Sequence, residues 1–156
     1  YKRGDIKITQ GNSNADLKAY MNAMGKVLKN NPAKAENELV VLKRALDKGD
    51  KNELKKLDIA IKGDEALLKG FLAISVPEII LDMHLNIIND FGASDESIKG
   101  LRKVFDDPIA TIANLGAYNK RTAMLKTSIQ TMINYFVGKG VIFDAKDDGY
   151  LFMHII

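Results

Sequence analysis

Apolar residues in this chain recur at steps of three and four, and short clusters of Pro, Gly and Asp cut that rhythm into segments. Three-to-four spacing lines one face of a helix, whereas a half-buried strand needs strict alternation. Leu17, Tyr20, Met21, Met24, Val27 and Leu28 predict a first helix, with Ser13, Asn14 and Asp16 offering cap oxygens and an early carboxylate. Asn30-Asn31-Pro32 ends it, because proline cannot continue a helix. A second helix is expected from Ala33 to Lys48 and stops at Gly49, a residue suited to the left-handed position beyond a helix end.

Asp50-Lys51-Asn52-Glu53 resembles a capping box, so Asp50 is expected to open a third helix carrying Leu54, Leu57, Ile61, Leu68, Phe71 and Leu72. Gly63 and Gly70 within it mark close packing or a kink. Ser75-Val76-Pro77-Glu78 has the same S-x-x-E form and makes Ser75 the expected cap of a fourth helix. Its stripe of Ile80, Met83, His84, Ile87, Ile88 and Phe91 resumes at Ile98, Leu101 and Phe105, which favours one helix running past Gly92 to about Phe105. Asp107 as N-cap and Pro108 as first helical residue open a fifth helix that stops at Gly138. In the tail, Val141–Phe143 and Tyr150–Met153 flank a polar loop and read as two short strands. The expected fold is therefore all-α, an up-and-down bundle of about five helices with a small C-terminal β-hairpin. One domain spans residues 15–156, and the polar, turn-rich residues 1–14 read as a linker or tether.

Composition narrows the chemistry. With no Cys, thiolate metal sites, cysteine nucleophiles and disulfides are excluded. No Gly-rich phosphate loop and no nucleophile elbow is present. Asp144–Gly149 begins like a calcium loop, but its third position is Lys146 and its twelfth is Ile155, where a bidentate Glu is required. No catalytic residue, metal site or cofactor is expected. His84 lies on an apolar stripe without a metal-binding partner spacing and reads as a packed, hydrogen-bonded histidine. Tyr118 opens a polar interruption, Tyr118-Asn119-Lys120-Arg121, in the fifth helix. If the bundle were instead a small-molecule sensor, its pocket would lie between helices near His84 and Tyr118.

The formal charge is +3, from 23 basic and 20 acidic residues, too weak and too mixed for a nucleic-acid face. Residues 1–75 carry a net +5, however, and Lys26, Lys29, Lys43 and Arg44 are candidates for contact with an acidic partner or anionic surface. No stretch approaches a membrane span, so membrane attachment would come only from a segment upstream of Tyr1.

Val76-Pro77-Glu78, Leu81 to Asn89 with His84-Leu85, Asp106-Asp107-Pro108, Tyr118, Tyr135-Phe136 and Gly140-Val141-Ile142-Phe143 occur in an order that resembles uncharacterised proteins of candidate-phyla-radiation, Parcubacteria-like bacteria. The resemblance covers roughly residues 15–153. It implies a helical domain held outside the cytoplasm by an N-terminal membrane anchor, with residues 1–14 as its tether; without such an anchor the domain would be cytoplasmic. It further implies a place in envelope or pilus- and secretion-type surface assembly. It brings no catalytic residues; Asp107-Pro108 and His84 match its signatures as architecture. The expected function is that of a non-enzymatic interaction domain with a protein partner.

Overall fold

Six α-helices and one two-stranded parallel sheet make up the described residues, 1–32 and 35–156, of this computed structural model, which is 73% helical. In chain order these are β1 (Lys7–Thr9), α1 (Asn14–Asn30), α2 (Glu38–Lys48), α3 (Leu57–Leu72), β2 (Ser75–Pro77), α4 (Leu81–Leu101), α5 (Pro108–Gly138) and α6 (Gly149–Met153). Short 3-10 turns cover Arg3–Asp5, Lys51–Lys56 and Glu78–Ile80.

Side-chain caps open three of the six helices, α1, α2 and α5. Ser13 and Asp16 form a reciprocal capping box at α1. The Asn37 side chain accepts from Leu39 and Val40 N–H and so opens α2; the expected start at Ala33 lies outside the described residues. Gly49 takes φ 61° at the end of α2, the left-handed geometry that glycine adopts without strain. Asp107 Oδ1 accepts from Ala110 N–H at 2.9 Å, with Pro108 at the first position of α5.

Four expectations need correction. Asp50 does cap, accepting from Asn52 N–H at 2.9 Å, but it opens the 3-10 turn, and α3 begins only at Leu57. Ser75 caps nothing: Ser75–Pro77 is the strand β2, because Pro77 pushes the residue before it into extended geometry, and α4 starts at Leu81. The C-terminal hairpin is not formed. Val141–Phe143 carries no strand, and Tyr150–Met153 belong to α6, whose Phe152 is buried against the helices. The opening residues are docked: Ile6 is buried, and β1 pairs with β2 in the register Lys7↔Ser75, Ile8↔Val76, Thr9↔Pro77. Helix α4 does run unbroken through Gly92, ending at Leu101 rather than Phe105.

Residues early in α3 meet residues late in α4, as Asp58–Arg102, Glu65–Lys99 and Phe71–Phe91 demonstrate, so these two helices are antiparallel. Two apolar cores result. One joins α1, the end of α3, β2, the first half of α4, the second half of α5 and α6 around Met24, Ile88, Met132 and Phe136. The other joins α2, the 3-10 turn before α3, the start of α3, the end of α4 and the first half of α5 around Val41, Leu57 and Leu101. Helices α4 and α5 run through both. Between the cores, α4 buries polar residues: Ser94, Asp95 and Ser97.

Candidate functional site

His84 is wholly enclosed in the first core, 0% exposed. Its Nδ1 lies 2.9 Å from the Tyr20 hydroxyl of α1, which also lies 3.6 Å from Met132 Sδ of α5. That hydroxyl has one proton to donate and Nδ1 is the stronger acceptor. Donation there places the imidazole's own proton on Nε2, which meets no partner among the described residues. A buried unsatisfied donor costs about 1–3 kcal/mol. Burial holds the His84 pKa down to about 4 and pushes that of Tyr20 up, so both stay neutral near pH 7. The partner of His84 is thus a phenol of α1 rather than a carboxylate.

Tyr118 belongs to the other core. Its hydroxyl donates to Glu38 Oε2 at 2.9 Å, tying α5 to the first turn of α2. Burial first, and then the Glu38 charge, push its pKa up to about 12. His84 and Tyr118 therefore sit in separate cores, and neither lines the clefts described below.

Glu38 also lines a cleft of about 400 Å³ with Asp64 of α3, walled by Ile59, Ala60 and Leu67. Burial, followed by the charges of Asp95 and Glu38, pushes the Asp64 pKa up to about 7. Asp95 is 4% exposed; its Oδ2 meets Lys99 Nζ at 2.8 Å while Oδ1 is buried without a partner among the described residues. Burial raises its pKa against the pull of Lys99. Lys99 Nζ is in turn 3.0 Å from both Glu65 and Glu96. This polar waist between the cores went unrecognised in the sequence. Its one visible signal was the polar run Ser94-Asp95 inside a long apolar helix. Among the described residues no group of three or more His, Asp or Glu is arranged to hold a metal ion.

The four basic candidates do not form one patch. Lys26 is exposed on α1, at the rim of a cleft of about 600 Å³ between α1, the end of α3 and the sheet. Lys29 pairs with Asp148 at 2.7 Å. On α2, Lys43 pairs with Asp47 at 2.5 Å, and Arg44 bridges Glu36 at 2.6 Å and Glu53 at 2.9 Å. Three of the four thus have intramolecular partners, although exposed pairs of this kind hold by at most about 1 kcal/mol.

The largest departure from an ordinary surface is apolar. Ile109 is 83% exposed and Ile112 74%. With Leu115 they step by three along α5, which makes them neighbours on one side of the helix. Leu115 then lines a groove of about 290 Å³ with Leu39, Leu42 and Leu46 of α2, rimmed by Lys43 and Asp47. Leu46 is half exposed. Isolated exposed apolar residues are ordinary; a continuous strip across two helices is the mark of a contact surface. Ile109, Ile112 and Leu115 share the three-residue spacing of the buried Ile129–Met132 half of α5, so spacing alone does not separate this exposed strip from core.

Among the described residues no helix is long and apolar enough to cross a membrane. No family model, curated protein or solved structure matches the chain.

Proposed function

We propose that this chain is a non-enzymatic helical interaction domain whose docking face is the apolar strip of α2 and α5. The observation that carries the reading is that Ile109 and Ile112 stand in water beside the Leu39–Leu42–Leu46–Leu115 groove. Fully burying such a side chain against a partner favours association by about 1.5–3 kcal/mol. An up-and-down arrangement of the bundle would give the strip a rigid backing. The test is a photo-crosslinking residue placed at Ile112 in the native cell, with Lys126, an exposed residue farther along α5, as control. A discrete adduct from position 112 alone, abolished by Ile109→Glu, is expected; its mass separates a second copy from another protein. No adduct at 112, or equal adducts at both positions, refutes the reading.

The setting outside the cytoplasm, membrane-tethered and within envelope or surface-appendage assembly, rests on the family resemblance. Protease added to intact cells tests it: cleavage of the domain supports that setting, and complete protection after verified expression rejects it.

A further inference from the structure

The exposed isoleucines stand on a stretch of α5 that carries no charge. From Pro108 to Asn119 there is neither acid nor base; Asp106-Asp107 precede the stretch and Lys120-Arg121 follow it. Ile109, Ile112, Ala113 and Gly116 are spaced to share one side of the helix, and all four are exposed. That side is uneven. The two isoleucines project at one end, while at the other a Cβ on Gly116 would meet nothing within 4 Å. Two of the bordering charges are engaged within the chain: Asp107 caps α5, and Arg121 is turned to the Ala93 carbonyl at 2.7 Å. Asp106 and Lys120 remain, both exposed, seven residues to either side of Ala113. Asp106 meets Lys51 at 2.6 Å, but both side chains are more than half exposed, so the carboxylate stays open to a second cation.

We propose that the occupant of this face is a second copy of the chain, with the two α5 helices crossing antiparallel about a two-fold axis near Ala113. The proposal rests on the reading of the strip as a docking face and names its partner. A two-fold contact pairs residue i with j and j with i. Antiparallel pairing about Ala113 brings Asp106 of each copy to Lys120 of the other, so both ends of the contact join opposite charges. Parallel pairing would set acid on acid and base on base. The same rotation lays Ile109 of each copy over the low ground at Gly116 of the other, a projection into a recess, twice. A uniformly acidic or basic partner would match one end of the face and oppose the other. The twelve residues Pro108–Asn119 cover about 18 Å of helix. A face of that length buries on the order of 1,000 Å² over both copies, the low end for a specific interface. The dimer is therefore reversible and forms in the micromolar range.

Sedimentation equilibrium of the full chain from about 1 μM to 1 mM reads this directly, and a monomer–dimer equilibrium with no larger species is expected. Ile109→Glu with Ile112→Glu should weaken the dimer by roughly a hundredfold or more. Asp106→Lys and Lys120→Asp should each weaken it several-fold, and the two together should restore it, with an unchanged circular dichroism spectrum showing that each variant is folded. A chain that stays monomeric throughout, a dimer untouched by the two glutamates, growth beyond two copies, or charge reversals without effect would each overturn the two-fold contact. The docking face is judged separately by the adduct at position 112. An adduct with a different protein, beside a monomeric chain, keeps that face and rejects the second copy; neither adduct nor dimer rejects both.

Discussion

Replacing Gly25 by alanine sets two effects of opposite sign against each other. Alanine in place of glycine inside a helix contributes about 1 kcal/mol. The added methyl would, however, lie 1.8 Å from the Asp148 carbonyl oxygen, 2.3 Å from its carbon and 2.8 Å from Gly149 N. All three atoms are backbone, so no rotamer change relieves the clash. Ordinary contact needs roughly 3.5 Å, which forces the start of α6 away from α1 by about 1.5 Å or more. Such a retreat stretches the bond from Gly149 N–H to Asn22 Oδ1, now 2.8 Å, and the pairs Lys18–Asp147 and Lys29–Asp148, both 2.7 Å. It also unseats Phe152, which is 1% exposed. The hydrogen bond accounts for about 1 kcal/mol and the exposed pairs for at most about 1 kcal/mol each. Truncating a buried Phe outright costs about 3–5 kcal/mol, so partial uncovering costs about 2. The net expectation for Gly25→Ala is a loss of about 2–4 kcal/mol, read from urea unfolding followed by circular dichroism. Amides of Gly149–Met153 should lose protection first. Gly116→Ala in α5 meets nothing within 4 Å and should instead stabilise by up to about 1 kcal/mol. If Gly25→Ala were as stable as the parent, the close seating of α6 on α1 would be wrong.

Other outcomes follow from the same geometry. Because burial lowers His84 to about 4 from 6.5, its contribution is fully present above pH 6.5 and lost as pH falls through 4, roughly 3 kcal/mol in all. His84→Gln should flatten that acid limb in urea midpoints measured between pH 7 and 4. The Asp64 proton acts in the opposite direction across an overlapping window, so Asp64→Asn should make the acid limb steeper than in the parent. Asp107→Ala removes the α5 cap and should cost about 1 kcal/mol, with fraying of the first turn visible in amide exchange. Ile109→Glu with Ile112→Glu should leave the urea midpoint within about 0.5 kcal/mol of the parent, since both side chains already stand in water.

Helix existence was legible because it is encoded locally: a cap oxygen, a proline or a glycine sits within a few residues of what it controls. Asp107-Pro108 and Gly49 behave as their chemistry dictates. Ser75 misled because S-x-x-E also fits a strand followed by a 3-10 turn; the β-branched Val76 before Pro77 was the better guide. Gly149–Met153 is only five residues, too short for a period of two to be told from one of 3.6. Ile6 and Ile8, two apart in a polar opening, were the overlooked sign of a short strand. The waist was hidden for another reason. Glu38, Asp64 and Asp95 are far apart in sequence and meet only through the offset of three helices, which no local pattern records. The same holds for the exposed apolar strip of α2 and α5, since periodicity marks a face without saying whether anything covers it.

The pairing of Lys7 with Ser75 has an implication for how the protein is made. Strand β1 leaves the ribosome before its hydrogen-bonding partner, which emerges only after α1, α2 and α3. Until then the nascent chain carries an unmatched edge on Lys7–Thr9, with Ile6 just before it and Ile8 within it, able to join any extended segment it meets. Closing so long a loop is entropically slow, so completion of this small ribbon is expected to come after helix formation and to report that the first half has assembled in order.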